Sequence, residues 1–117
     1  MRHMCGNKKL GLPTDQRMAL IKNGAKALFQ YKQIKTTKHR AKQIQSYVEI
    51  VITKALANNL HSRREVFKMI PDSKIMKLIF QDDFLSKYQN QKGGYTRILK
   101  LGIRRGDAAS VSVLELI

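Results

Sequence analysis

Three histidines, one cysteine and one pair of adjacent aspartates are the residues whose types suit metal binding or acid–base work. His3, His39 and His61 fall in three different stretches, and only His3 has a second ligand type nearby, in Cys5. A structural zinc site needs four such ligands, so this pair alone does not make one. Asp82 and Asp83 are neighbours, which on a helix points them about 100° apart; they read as a solvated helix end and not as a shared acid–base pair. There is no glycine-rich phosphate cradle and no serine on a strained strand-to-helix turn. Arg105-Gly106-Asp107 spells an adhesion tripeptide, but Gly106 suits positive φ and Asp107 suits a side-chain bond to backbone, so a turn is the reading. His39 and His61 would make a ribonuclease-type acid and base only if the fold brought them together. No catalytic residue, metal, cofactor or small-molecule substrate is expected.

The chemistry this chain does offer is cationic. It holds 23 Lys and Arg against 8 Asp and Glu, a net charge of +15, and such a chain repels itself unless it works against a polyanion. Residues 1 to 42 carry 11 basic residues against Asp15 alone, a net of +10, while the remaining 75 carry 12 against 7, a net of +5. Three clusters stand out. Arg2, His3, Lys8 and Lys9 lie in a leading stretch with no apolar period. Lys35, Thr36, Thr37, Lys38, Arg40 and Lys42 straddle a strand-to-helix junction, where hydroxyls, free amides and the positive helix end join the cations to suit phosphate. Tyr95, Arg97, Lys100, Arg104 and Arg105 belong to a C-terminal hairpin, where arginine can take phosphate bidentately and arginine or tyrosine can stack on an unpaired base. Arg17, Arg63 and Arg64 add further cations; Lys22, Lys26, Lys74 and Lys77 on polar helix faces read equally well as solvated. Cations at loops and element ends, instead of along one amphipathic helix, favour nucleic acid over a membrane.

The elements that must position these residues follow from periodicity. Residues 1–13 read as an extended basic arm closed by Pro13, and residues 14–117 as a single α+β domain. Thr14 is expected to cap a first helix over 15–30, whose inner stripe is Met18, Ile21, Ala25, Leu28 and Phe29. A strand near 32–36 precedes a second helix, capped by the Thr37 hydroxyl and running to about residue 58, with Ala41, Ile44, Val48, Val51, Ile52 and Ala55 inward; Asn58 and Asn59 end it. A third helix, roughly 61–69, buries Val66 and Phe67. A fourth, capped by Asp72, turns Ile75, Leu78 and Ile79 inward and continues through Phe84 and Leu85. Gly93-Gly94 breaks the pattern, and 95–101 with 111–117 read as an antiparallel hairpin around a long basic tip, Gly102 to Ser110. The order is α-β-α-α-α-β-β, with helices packed on one face of a small antiparallel sheet in two layers.

No run of about 18 uncharged apolar residues marks a membrane span, and no apolar run follows the leading Arg as in a secretory signal. One cysteine, Cys5, excludes an internal disulfide and fits a reducing compartment, the cytoplasm or an organelle interior. A flexible arm with loop tips suits an irregular folded RNA, whereas a duplex DNA reader would present a basic recognition helix; only the third helix, with Arg63 and Arg64, approaches one.

Met1-Arg2-His3 with Lys9-Leu10, Ile34-Lys35-Thr36-Thr37 followed by Ala41-Lys42, and Gly93-Gly94-Tyr95-Thr96-Arg97-Ile98 with Lys100 resemble a known family. Gly106-Asp107 with Ala109, and Glu115-Leu116, complete the likeness, which spans nearly the whole chain. The family is the bacterial large-subunit ribosomal protein numbered seventeen. The resemblance implies a structural, non-catalytic protein that binds 23S-type ribosomal RNA near the exit of the nascent-peptide tunnel, beside the large-subunit proteins numbered twenty-two and thirty-two. The alternative from the residues themselves is a nucleoid or regulatory DNA-binding protein.

Overall fold

The expected stripe Ile21, Ala25, Leu28 and Phe29 is buried and forms the inner face of the first helix, while Met18 stays 37% exposed at the edge. The structure, a computed structural model, describes residues 10–117. Its elements are α1 (Thr14–Tyr31), β1 (Gln33–Thr37), α2 (Lys38–Ala55), α3 (Leu60–Met69), α4 (Ser73–Ile79), α5 (Asp82–Tyr88), β2 (Thr96–Ile103) and β3 (Ser110–Leu116). Among the described residues this is an α+β arrangement of five helices and a three-stranded antiparallel sheet, ordered β1-β3-β2. The arm expected over 1–13 lies mostly outside the described residues; Leu10 and Gly11, both at positive φ, turn the chain toward α1.

The extra helix corrects the expected single run from Asp72 through Leu85. An unbroken helix would carry Asp82 and Asp83 onto the face of Ile75 and Ile79, three and four residues past Ile79. Instead the chain leaves the helix at Phe80, becomes extended at Gln81 and restarts, so that Phe84, Leu85 and Tyr88 turn inward while both aspartates stay exposed in the first turn. Asp72 does cap α4, its carboxylate accepting from the amides of Lys74 and Ile75.

Other boundaries shift for local reasons. Pro13, not Thr14, occupies the cap position of α1, since its carbonyl accepts the first helical bond from Arg17. Helix α2 stops at Ala55, short of 58, and Asn58 sits at φ 47°. Asn59 begins α3 instead of ending α2: its side chain accepts from the Ser62 amide while Ser62 Oγ accepts from the Asn59 amide, a reciprocal cap. Phe67, expected inward, is 48% exposed, and Leu78 is half-buried.

In the sheet, Ile34, Leu114 and Ile98 stand opposite one another in a row that packs beneath the helices, with Leu114 fully buried. The next row toward the hairpin tip is Thr36, Ser112 and Lys100. Lys35, Val113 and Leu99 point to the other face, where Leu99 is exposed. A bulge between Lys100 and Gly102 bends the edge strand β2. Four aromatic rings, Phe29, Phe84, Tyr88 and Tyr95, follow one another edge-to-face at 5.9, 5.1 and 5.5 Å and join α1, α5 and the start of β2.

Candidate nucleic-acid interface

The strand-to-helix junction is positioned by sheet pairing. Thr37 at the end of β1 faces Val111 of β3, so the hairpin tip emerges beside the first turn of α2. Thr37 stands at the cap position with extended backbone, as its place in the sequence predicts, but its hydroxyl makes no bond to the helix amides, which corrects the expected side-chain cap. The first turn of α2 also carries no acidic residue, so its positive end is left to other partners. Lys38, His39 and Arg40 of that turn share a cleft of about 710 Å³ with Arg104 and Asp107 from the tip. Two clusters that are about 65 positions apart in the chain thus form one surface.

The tip is shorter than expected, only Arg104 to Ala109. Gly106 takes φ 100°, and the Arg104 amide donates to the Ala109 carbonyl across the base of the turn. The Asp107 carboxylate ties the turn to backbone through the Ala109 amide, as its sequence suggests. It also takes two bonds from the Arg104 guanidinium, at 3.2 and 2.6 Å. The Arg104 bond first, and the Ala109 amide second, hold its carboxyl down at about 2. Asp107 therefore fixes the direction of Arg104. That role was not read from the sequence, although a carboxylate three residues after an arginine, across a glycine, is the visible signal.

The other expected residues divide by location. Lys35 and Thr36 line a second cleft, of about 430 Å³, with Leu101, Ile103 and Arg104. Lys38 and Lys100 line a third, of about 160 Å³, with Ser110 and Ser112. Lys42 lies one turn beyond Lys38 on the same helix face and is exposed, as is Arg105 at the tip. Among the described residues none of Lys35, Lys38, Arg40, Lys42, Lys100 or Arg105 is engaged in an ion pair. Arg97 is on the open face of the sheet, paired with Glu115. Arg17 borders a separate groove between α1 and α2, and Arg63 and Arg64 flank the exposed Phe67, Arg63 lying 5.4 Å over the Phe80 ring. Arg2, His3, Lys8 and Lys9 fall outside the described residues.

Tyr95 is a correction. Its ring is 2% exposed, packed on Tyr88, and its hydroxyl donates to the Gln91 carbonyl, so it belongs to the core and offers no face to a base. The histidines are also separated: His39 opens α2, His61 follows its far end, and roughly 24 Å of helix axis lies between His39 and that end. Among the described residues no group of three His, Cys, Asp or Glu could hold a metal ion, and no helix is long and apolar enough to cross a membrane.

Comparison with known proteins agrees with the resemblance read from the motifs. A family model described as ribosomal protein L17 matches residues 20–117. Large ribosomal subunit protein bL17 of Clostridium beijerinckii is 44% identical over 114 residues, covering 97% of this chain and all of the relative. The bL17 protein of Clostridium perfringens strain SM101 is 43% identical over the same length and coverage, and that of Thermoanaerobacter sp. strain X514 is 44% identical over 112 residues, 96% of this chain and 99% of its own. The chain therefore belongs to the ribosomal protein L17 family, structural and non-enzymatic proteins of the large ribosomal subunit.

Proposed function

We propose that this chain binds large-subunit, 23S-type ribosomal RNA through the surface where the first turn of α2 meets the hairpin tip. The observation that carries the reading is the convergence of Lys38, Arg40 and the oriented Arg104 on one cleft beside a helix start that has no side-chain cap. Phosphates meet there a helix N-terminus and several cations without a free carboxylate to repel them. Lys35, Thr36, Lys42, Lys100 and Arg105 extend the contact, and the basic stretch 1–13, with Arg2, His3, Lys8 and Lys9, acts as a second anchor that enters crevices of the RNA. Arg17, Arg63, Arg64 and Arg97 are peripheral contacts. The placement near the exit of the peptide tunnel, beside the proteins numbered twenty-two and thirty-two, is what the family resemblance implies.

Affinity for large-subunit RNA, measured against salt concentration, tests this. If about six phosphates are neutralised, the log–log slope should lie between about −4 and −5. A slope near zero would mean that charge is not the source of affinity. The same titration with duplex DNA addresses the DNA-binding alternative, which equal affinity would favour.

A further inference from the structure

Among the described residues one buried polar side-chain atom has no hydrogen-bond partner, the Oγ of Ser112. The residue sits in the central strand, 1% exposed, between Thr36 and Lys100 in its cross-strand row. A hydroxyl buried without a partner lowers stability, and alanine would avoid that loss. Ser112 also lines the small cleft of about 160 Å³ whose wall carries Lys38, Lys100 and Ser110. Lys38, in the first turn of an 18-residue helix, and Lys100 thus line the same cleft as an unpartnered hydroxyl, and no carboxylate lines that cleft. Asp107, in the adjoining larger cleft, is already bound by Arg104.

We propose that Ser112, Lys38, Lys100 and the first-turn amides of α2 form a seat for one phosphate of the RNA backbone. The anion accepts the Ser112 Oγ–H and lies between the two ammonium groups. Because Oγ is sealed beneath the surface of the cleft, the flexible Lys38 and Lys100 chains swing aside to admit the anion and then close on it. The assignment rests on the reading that this junction meets RNA, and adds to it a buried serine as the group that fixes one phosphate in depth.

The test uses the full chain and its Ser112→Ala and Lys100→Gln variants, each melted in chloride and in inorganic phosphate at matched ionic strength. Each is also titrated with large-subunit RNA. In chloride Ser112→Ala should melt no lower than the parent, because the change removes only an unpaired hydroxyl. Its stabilisation by phosphate should fall by at least half and its RNA affinity by about tenfold or more, the effect of losing one charge-assisted hydrogen bond. Lys100→Gln, an exposed change that leaves the core alone, should lower both readouts and keeps the test open if Ser112→Ala fails to fold. Unchanged phosphate stabilisation in both variants overturns the seat. Lost phosphate stabilisation with RNA affinity intact overturns the backbone as the source of the anion. If Arg40→Ala, in the larger cleft and outside the seat, still weakens RNA binding in either case, the junction reading stands and only the seat falls.

Discussion

Glu49 shows how one side chain holds the candidate interface in place without belonging to it. From the middle of α2 its carboxylate accepts from the Tyr95 amide at 3.3 Å, the Thr96 amide at 3.0 Å and the Thr96 hydroxyl at 2.7 Å. It thereby pins the start of β2 to the helix whose other end forms the junction. Hydrogen bonds to a charged acceptor contribute about 1.5–3 kcal/mol, so we expect Glu49→Ala to lower unfolding free energy by roughly 2–3 kcal/mol in urea titration. Glu49→Gln, which keeps an acceptor but loses the charge, should cost less. A loss under about 0.5 kcal/mol for the alanine variant would show that water replaces the carboxylate at no penalty. None of this was legible in the sequence, where Glu49 and Thr96 are separated by 47 positions and each reads as an ordinary surface residue. The cations at the junction were legible because residue type alone carries charge. The burial of Tyr95 was not, because a tyrosine after two glycines reads equally well as an exposed stacking ring.

Elements were easiest to read where apolar spacing is unambiguous. The inward stripe of α2, from Ala41 to Ala55, is buried as its period predicts. In β3 alternation alone leaves the buried face open between Val111 with Val113 and Ser112 with Leu114. The structure gives that face to Ser112 and Leu114, because Leu114 completes the row of Ile34 and Ile98 under the helices and pairing fixes the rest. Helix–helix contact holds a second detail hidden from a one-dimensional reading. At Gly24 in α1 an added Cβ would come within 2.4 Å of Ile44 Cδ1 and 2.9 Å of Cγ1, in a side chain only 3% exposed. Alanine there gains roughly 1 kcal/mol of helix propensity, but overpacking costs about 1–3 kcal/mol. We expect Gly24→Ala to be destabilising by about 1 kcal/mol net, and Ile44→Val, which removes Cδ1, to recover part of that loss in the double variant. If both single changes destabilise and their effects simply add, the two residues do not compete for space.

For the whole molecule the dominant quantity is charge, +15 on 117 residues, and the fold concentrates part of it where the hairpin returns to α2 instead of spreading it evenly. What joins the two regions is the sheet order β1-β3-β2, in which the last strand is the middle one. Strand β3 supplies every sheet partner of both β1 and β2, buries Leu114, and leads to Ile117, which donates its amide to the Tyr95 carbonyl and accepts from the Tyr88 hydroxyl. A chain ending at Asp107 should therefore lose cooperative thermal unfolding, not merely melt a few degrees lower, and retained cooperativity would mean that the helices form a stable unit alone. The same topology sets a schedule. Helices α1 to α5 are complete before β3 leaves the synthesising machinery, and they can dock on one another through contacts close in sequence. The sheet cannot begin to close until the final turn has been made, so β1 waits with its edge unpaired for more than 70 residues. Until then Thr37 and the hairpin cations have no fixed distance between them, and the surface assigned here to RNA comes into being as a unit in the last step of folding.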